Sequence, residues 1–212
     1  MKNQRTKEWE FKSMDSNDLN YHLKQWSDPK RSTIHFSNFI NEKIKSSKNI
    51  LDIGCGMGGS TQYISTLNSN CNFIGIDYIQ EFVDNGNEFI VKNGTKNVKL
   101  IQDDWFNLKK YENVDGVISL QTLSWLPEFE KPIEEIIKKV NPNWICFSSL
   151  FYEGDISIKS EIFEHSINKT CFYNTYSIPQ VDKFVRKFGY KIESIIPFKI
   201  DIDIDKPTLL DR

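Results

Sequence analysis

The sequence predicts an α/β fold, a doubly wound and mostly parallel sheet, on three observations. From Lys48 onward, short apolar runs alternate with stretches of helical periodicity. The run WICFSSLFY is apolar along most of its length, as a strand covered on both faces would be. A glycine-rich turn, ILDIGCGMGGS (Ile50 to Ser60), joins the first run to the helix behind it. Right-handed crossovers would place that turn at the carboxyl edge of the sheet, where open α/β folds bind ligands.

Residues 1–47 are polar overall but carry Trp9, Phe11, Tyr21, Trp26, Phe36 and Phe39. Aromatic side chains in a leading segment need a surface to cover, so residues 1–47 read as a helical lid on one domain spanning 48–212. Pro29 and SDPKRST divide this segment, and STIHFSNFINEKI then has the spacing of an amphipathic helix capped by Ser32 or Thr33. NILDI is the first strand and STQYISTLN the helix after the glycines. NFIGID is the second strand, and the helix around QEFVDNGNEFIVKNG stops at Gly94, a residue suited to a left-handed end. VKLIQ and VDGVISL are the third and fourth strands, and KPIEEIIKKV is a helix with Pro132 near its first turn. After the fifth strand, WICFSSLFY, an insertion at about 153–177 precedes a helix, PQVDKFVRKFG, and a sixth strand, YKIESIIPFKI.

A chain of 212 residues suffices for one sizeable core and is short for two. Its net charge of −2 provides no general attraction to nucleic acid or anionic membrane, so neither is expected as a partner. No apolar run approaches the roughly 18 residues of a membrane helix, and the start, MKNQRTKEWEF, lacks the apolar stretch of a signal peptide. Cys55, Cys71, Cys146 and Cys171 are scattered without a C-x-x-C pair, which reads as reduced thiols in a cytoplasmic protein.

The glycine turn fits two patterns. Gly54, Gly56 and Gly59 give G-x-G-x-x-G, the dinucleotide register, whereas Gly54, Gly56 and Gly58 give the tighter G-x-G-x-G. Asp52 stands two positions before the glycines, where a carboxylate disfavours a pyrophosphate and suits a ligand ammonium. Asp77 ends the second strand, 19 positions beyond Gly58, where an acid can accept both hydroxyls of a ribose. Asp104, in QDDW, follows the third strand with Trp105 beside it. Alone it reads as a cap or turn residue; in register after the other two acids it reads as an acceptor for an adenine amino group.

LDIGCGMGG, IGIDY, LIQDDW and VDGVISLQTLSWLP resemble, in order and spacing, the successive motifs of class I S-adenosylmethionine-dependent methyltransferases. The resemblance is clear from Lys48 to Leu150 and looser beyond, and it implies their Rossmann-like fold. It implies that Gly54, Cys55, Gly56 and Gly58 carry the methionine part of the cofactor and that Asp52 serves its ammonium. By the same likeness Asp77 holds the ribose, Asp104 with Trp105 the adenine, Tyr78 belongs to the cofactor site, and Leu120 and Gln121 line the path to the methyl group. NPNW lies before the fifth strand, where amino-methylating relatives do not carry their N-P-P-Y motif, and reads as a turn. Gln121 stands where metal-using members place an acid, so no metal is expected. The family sheet normally ends in a sixth strand hairpinned to an antiparallel seventh, but only DIDIDKPTLLDR remains after the sixth. The expectation is six parallel strands with the seventh missing, the chain being a piece of a longer one or its open edge being covered by a second copy or a partner chain.

A hydroxyl acceptor also needs a base. His35 beside Phe36 reads as packing, and His165, in the insertion, is the catalytic candidate, with a surface position on a helix IKSEIFEHSI as its alternative. Tyr21, Trp26 and Trp125 are candidates for an aromatic acceptor pocket, or for core. The build points by analogy to a small polar metabolite, a sugar or sugar derivative among the candidates. Two other functions stay open: a nicotinamide-dependent dehydrogenase in the dinucleotide register, and a non-catalytic cofactor-binding subunit.

Overall fold

The computed structural model describes residues 16–165 and 169–199. Two helices lead, α1 (Ser16–Ser27) and α2 (Arg31–Lys45). The alternation then runs β1 (Asn49–Ile53), α3 (Gly59–Leu67), β2 (Asn72–Asp77), α4 (Gln80–Lys92), β3 (Val98–Gln102), β4 (Gly116–Leu120), α5 (Glu130–Lys139) and β5 (Trp144–Ser148). These five strands form one sheet in the order β3-β2-β1-β4-β5, every pair parallel. The winding reverses between β1 and β4, so the chain leaves those two strands in opposite directions and opens a crevice at their carboxyl ends.

Side-chain alternation builds a core on both faces. Ile50, Phe73, Val98 and Ile118 pack with Phe36, Ile40 and Ile44 of α2, Ile64 of α3 and Ile90 of α4. Leu51, Ile53, Ile76 and Val117 face the other way, with Ile133 and Ile136 of α5 and with Val181 and Val185 of α6 (Ile178–Arg186). Each such side chain contributes about 1.5–3 kcal/mol by leaving water, which is why the strands are apolar in both registers.

Two expectations about the leading segment change. Helix α2 is one layer of this core rather than part of a lid; its Phe36, Ile40 and Ile44 are all buried. Lys30, not Ser32 or Thr33, stands at its cap position, without a side-chain cap hydrogen bond. The hydroxyls expected to cap are used elsewhere: Thr33 Oγ1 pairs with Ser60 Oγ at 2.9 Å, and Ser32 Oγ accepts from Gln121 Nε2 at 3.4 Å.

The fifth strand divides at Ser149 and Leu150. β6 (Phe151–Tyr152) pairs with β9 (Tyr176–Ser177), away from the main sheet. The insertion is an antiparallel pair, β7 (Glu161–Glu164) with β8 (Lys169–Phe172), so the helix IKSEIFEHSI does not form. Buried Asn174 fastens it: its Nδ2 donates to Leu126 O at 2.8 Å, and its Oδ1 accepts from Ser160 N at 2.9 Å.

The sixth strand is not formed over 190–199, and among the described residues the expectation of six parallel strands in the main sheet gives way to five. Backbone and side chains of this stretch find other partners. Ile192 N donates to Asp182 Oδ1 at 3.2 Å, Tyr190 Oη to Pro142 O at 2.5 Å, and Pro197 has no N–H to offer a ladder. Residues 200–212, on which the expectation of a missing seventh strand rests, lie outside the described residues. Among the described residues no helix is long and apolar enough to cross a membrane.

Candidate functional site

The glycine turn settles its own register. Gly54, Gly56 and Gly58 have φ of +73°, +55° and +78°, whereas Gly59 is the first residue of α3. The left-handed set is therefore the tighter one, G-x-G-x-G. Gly54 N and Cys55 N both donate to Ile76 O, at 2.8 and 3.0 Å, which pulls the turn over the end of β2. A Cβ on Gly54 would meet Thr122 at 2.4 Å, and one on Gly56 would meet the His22 ring at 2.6 Å, so the backbone itself forms the floor of the cavity.

Two acids flank that floor. Gly56 N donates to Asp77 Oδ2 at 2.8 Å and Ile79 N to Asp77 Oδ1 at 3.0 Å, which fixes the carboxylate at the end of β2. Burial nonetheless holds its pKa above the ordinary value. Asp52 is 1% exposed and accepts from Thr61 Oγ1 at 2.6 Å through Oδ2. Its Oδ1 is buried with no hydrogen-bond partner in the described chain. Burial above all, with the neighbouring charge of Asp77, pushes the Asp52 carboxyl up to about 7 against the Thr61 hydrogen bond.

Across the crevice, β4 ends in Leu120 and Gln121, the latter at φ +57° with its N–H on Ser148 O at 2.6 Å. Thr122 Oγ1 donates to Gly54 O at 3.1 Å and ties this side to the glycine turn. A cavity of about 1100 Å³ lies between them. That exceeds the roughly 300–1,000 Å³ usual for one ligand and leaves room for two.

The structure brings Asp52, Gly54, Cys55, Gly56 and Asp77 to this cavity, with Leu120 and Gln121 opposite. Tyr21 and Trp125 line it as well, Trp125 edge-on to Tyr173 at 5.1 Å. The remaining expected residues do not line it. Gly58 sits above Leu100 as the cap of α3 and shapes the turn only. Tyr78 is 41% exposed, and its carbonyl accepts from Gln102 Nε2 at 3.1 Å. Asp104 caps a single 3-10 turn, accepting from Phe106 N at 2.8 Å, which is the cap reading of that residue. Trp105 is core: its Nε1 donates to Pro132 O at 3.0 Å and its ring stacks on Phe147. Trp26 packs on Phe89, 5.4 Å between centroids. His165 is exposed beyond β7, against Phe163 at 4.8 Å, and does not reach the cavity.

Several lining residues were not singled out from sequence. His22 is the histidine at the cavity, 4.4 Å from Phe82; its signal was adjacency to Tyr21, too weak to separate it from His165. Lys30 carries no motif, Ser32 reads from sequence only as a helix cap, and Thr122 lies within VDGVISLQTLSWLP without a role of its own. Ile192, Ile195, Ile196 and Phe198 add an apolar wall from the stretch expected to be a strand. Among the described residues no group of three or more His, Cys, Asp or Glu side chains converges as a metal site would need.

Comparison with known proteins places this geometry. A family of methyltransferase domains matches residues 44–198. An (S)-tetrahydroprotoberberine N-methyltransferase of Eschscholzia californica is 26% identical over 141 residues, covering 65% of this chain and 38% of that one. A malonyl-[acyl-carrier protein] O-methyltransferase of Bacillus anthracis is 25% identical over 135 residues, covering 64% and 49%. The chain thus spans half or less of these curated relatives. In fold it resembles the crystal structure of an S-adenosylmethionine-dependent methyltransferase from Clostridium acetobutylicum, with a TM-score of 0.65, 14% identity, and coverage of 90% of this chain and 94% of that one.

Proposed function

The chain belongs to the family of methyltransferase domains, and from that premise we propose that it transfers a methyl group from S-adenosylmethionine to a small-molecule acceptor. The observation that carries the reading is Asp52, a buried carboxylate with one oxygen lacking a partner, set beside a floor of left-handed glycines. An amino-acid ammonium supplies the missing partner, and a floor without side chains lets the sulfur end of such a ligand lie against the backbone. Asp77, steadied by Gly56 N and Ile79 N, retains lone pairs for the two ribose hydroxyls. A pyrophosphate would instead lie near two carboxylates, which argues against a nicotinamide cofactor.

When bound, S-adenosylmethionine supplies an electrophilic methyl group on a sulfonium. The chain's part is to align the acceptor's nucleophile with it, about 3 Å away, and to keep water out. Trp125, Tyr173, Ile195 and Phe198 bound the outer part of the cavity, so an acceptor with an apolar face fits better than a bare sugar. His22 lines the cavity and, in this proposal, takes the proton of a hydroxyl or ammonium acceptor. The outer edge of β5 pairs with no strand among the described residues, and its cover by a second copy or a partner chain is part of the proposal.

Transfer of a labelled methyl group to a panel of small acceptors tests the activity. Turnover falling by about a hundredfold or more in His22→Ala, but not in His165→Ala, is expected for a base. Full turnover in His22→Ala would remove that role. A folded protein that binds cofactor yet methylates nothing would favour the non-catalytic subunit.

A further inference from the structure

We propose that Lys30, steadied at the cavity wall by Tyr21 and Gln121, anchors a carboxylate of the bound ligand. This rests on the reading that the cavity takes S-adenosylmethionine. Lys30 lies between α1 and α2, at the cap position of α2. Its Nζ donates to Tyr21 Oη, lies 4.2 Å from the centroid of that ring, and reaches Gln121 Oε1 at 3.5 Å. Gln121 is itself fixed, by its left-handed backbone, its N–H on Ser148 O and its Nε2 on Ser32 Oγ. The ammonium is therefore held at a defined place beside the end of β4.

Its charge is uncompensated there. The other cation of the cavity wall, Arg186, is paired through Nε with Asp182 Oδ2 at 2.5 Å. Lys30 forms no salt bridge among the described residues, and both of its side-chain acceptors are neutral. An ammonium has three donors, so at least one remains for a ligand. The first turn of α2 contains no acid and no side-chain cap, so nothing on that helix end offsets the charge. The acids of the cofactor side, Asp52 and Asp77, flank the glycine turn, whereas Lys30 lies across from it beside Gln121. Arg186 and Asp182 also line the cavity but pair with each other, and Glu153 lines it as well, so Lys30 is the wall cation without an acidic partner among the described residues. With Asp52 and Asp77 at the glycine turn, it suits a ligand bearing both an ammonium and a carboxylate. Such a carboxylate can come from the amino-acid end of the cofactor or from the acceptor.

The test uses Lys30→Met, which keeps the apolar stem and removes the charge, with Lys30→Arg as the restoring variant. Calorimetry is run with S-adenosylhomocysteine and with its decarboxylated analogue, on proteins shown by melting to be folded. If the cofactor is the source, Lys30→Met weakens S-adenosylhomocysteine about tenfold to a hundredfold, leaves the analogue unchanged, and Lys30→Arg recovers most of the loss. If the acceptor is the source, both cofactor affinities hold. Small aromatic and aliphatic carboxylates then bind the wild-type complex in preference to their primary amides, and Lys30→Met abolishes that preference. A variant within about twofold of wild type for S-adenosylhomocysteine and for every carboxylate overturns the proposal. Wild-type protein that binds no S-adenosylhomocysteine fails the underlying reading and takes this inference with it.

Discussion

Asp52 shows how a single residue couples the cavity to pH. Its carboxyl, lifted to about 7 by burial, is mostly protonated in mildly acidic solution and ionised above neutrality. Because the folded value exceeds the ordinary 3.8, the group favours the folded, unliganded protein fully below that ordinary value. That contribution is lost as pH rises through about 7, and three pK units amount to about 4 kcal/mol. A ligand ammonium at Oδ1 favours the ionised form and reverses the penalty. Affinity for S-adenosylhomocysteine is therefore expected to fall by up to about tenfold per unit as pH drops below 7, with proton release from Asp52 on binding. Asp52→Asn should flatten that dependence, weaken binding at pH 8, and raise the melting temperature of the unliganded protein at pH 8 more than at pH 5. Calorimetry and melting across pH 5–8 measure all three, and an unchanged pH profile in the variant would assign the titration to another group.

At the scale of elements, α2, the insertion and the stretch 190–199 are where the structure departs from the sequence reading. Ile40 is 2% exposed between α2 and the sheet. Ile40→Ala is expected to destabilise the whole fold by about 2–5 kcal/mol in a single unfolding transition, as a core helix requires. A loss below about 1 kcal/mol would restore the view of α2 as a detachable lid. The five strands, the helices between them and the glycine turn were legible because each has a period or a residue of its own: alternating buried faces, a glycine in the left-handed region, Gly94 at φ +65° after α4. The stretch YKIESIIPFKI carries the composition of a strand, but a strand is defined by its partner. Asp182, Pro142 and the cavity take the groups that a neighbouring strand would have needed. The insertion failed in the opposite sense. IKSEIFEHSI has helical spacing, yet its residues 161–164 pair antiparallel with β8, and buried Asn174 ties Ser160 to Leu126, which lies 48 positions before Asn174. Asp52 and Asp77 were readable in the site because motif and strand end coincide. Lys30 and His22 were not, since only the packing of α1 over α3 and the turn into α2 bring them to the crevice.

For the molecule as a whole, one topological fact organises the rest: the reversal of strand order between β1 and β4. It sets Asp52 and the glycine turn on one side of a crevice and Leu120 and Gln121 on the other, with Asp77 at the end of the adjoining strand. The apolar alternation that drives both faces of the sheet to be covered also holds these ends in register, so the cavity follows from the core. Its central chemical claim is that the crevice recognises an adenosyl amino acid and rejects a dinucleotide. Calorimetric titration of the folded chain with S-adenosylhomocysteine and, separately, with NAD tests that claim most directly. The account predicts saturable binding of S-adenosylhomocysteine, with about 2.7 kcal/mol of added stability at a hundredfold excess over its Kd, and no binding of NAD. Binding of NAD in preference, or no binding of S-adenosylhomocysteine by a folded sample, would contradict it.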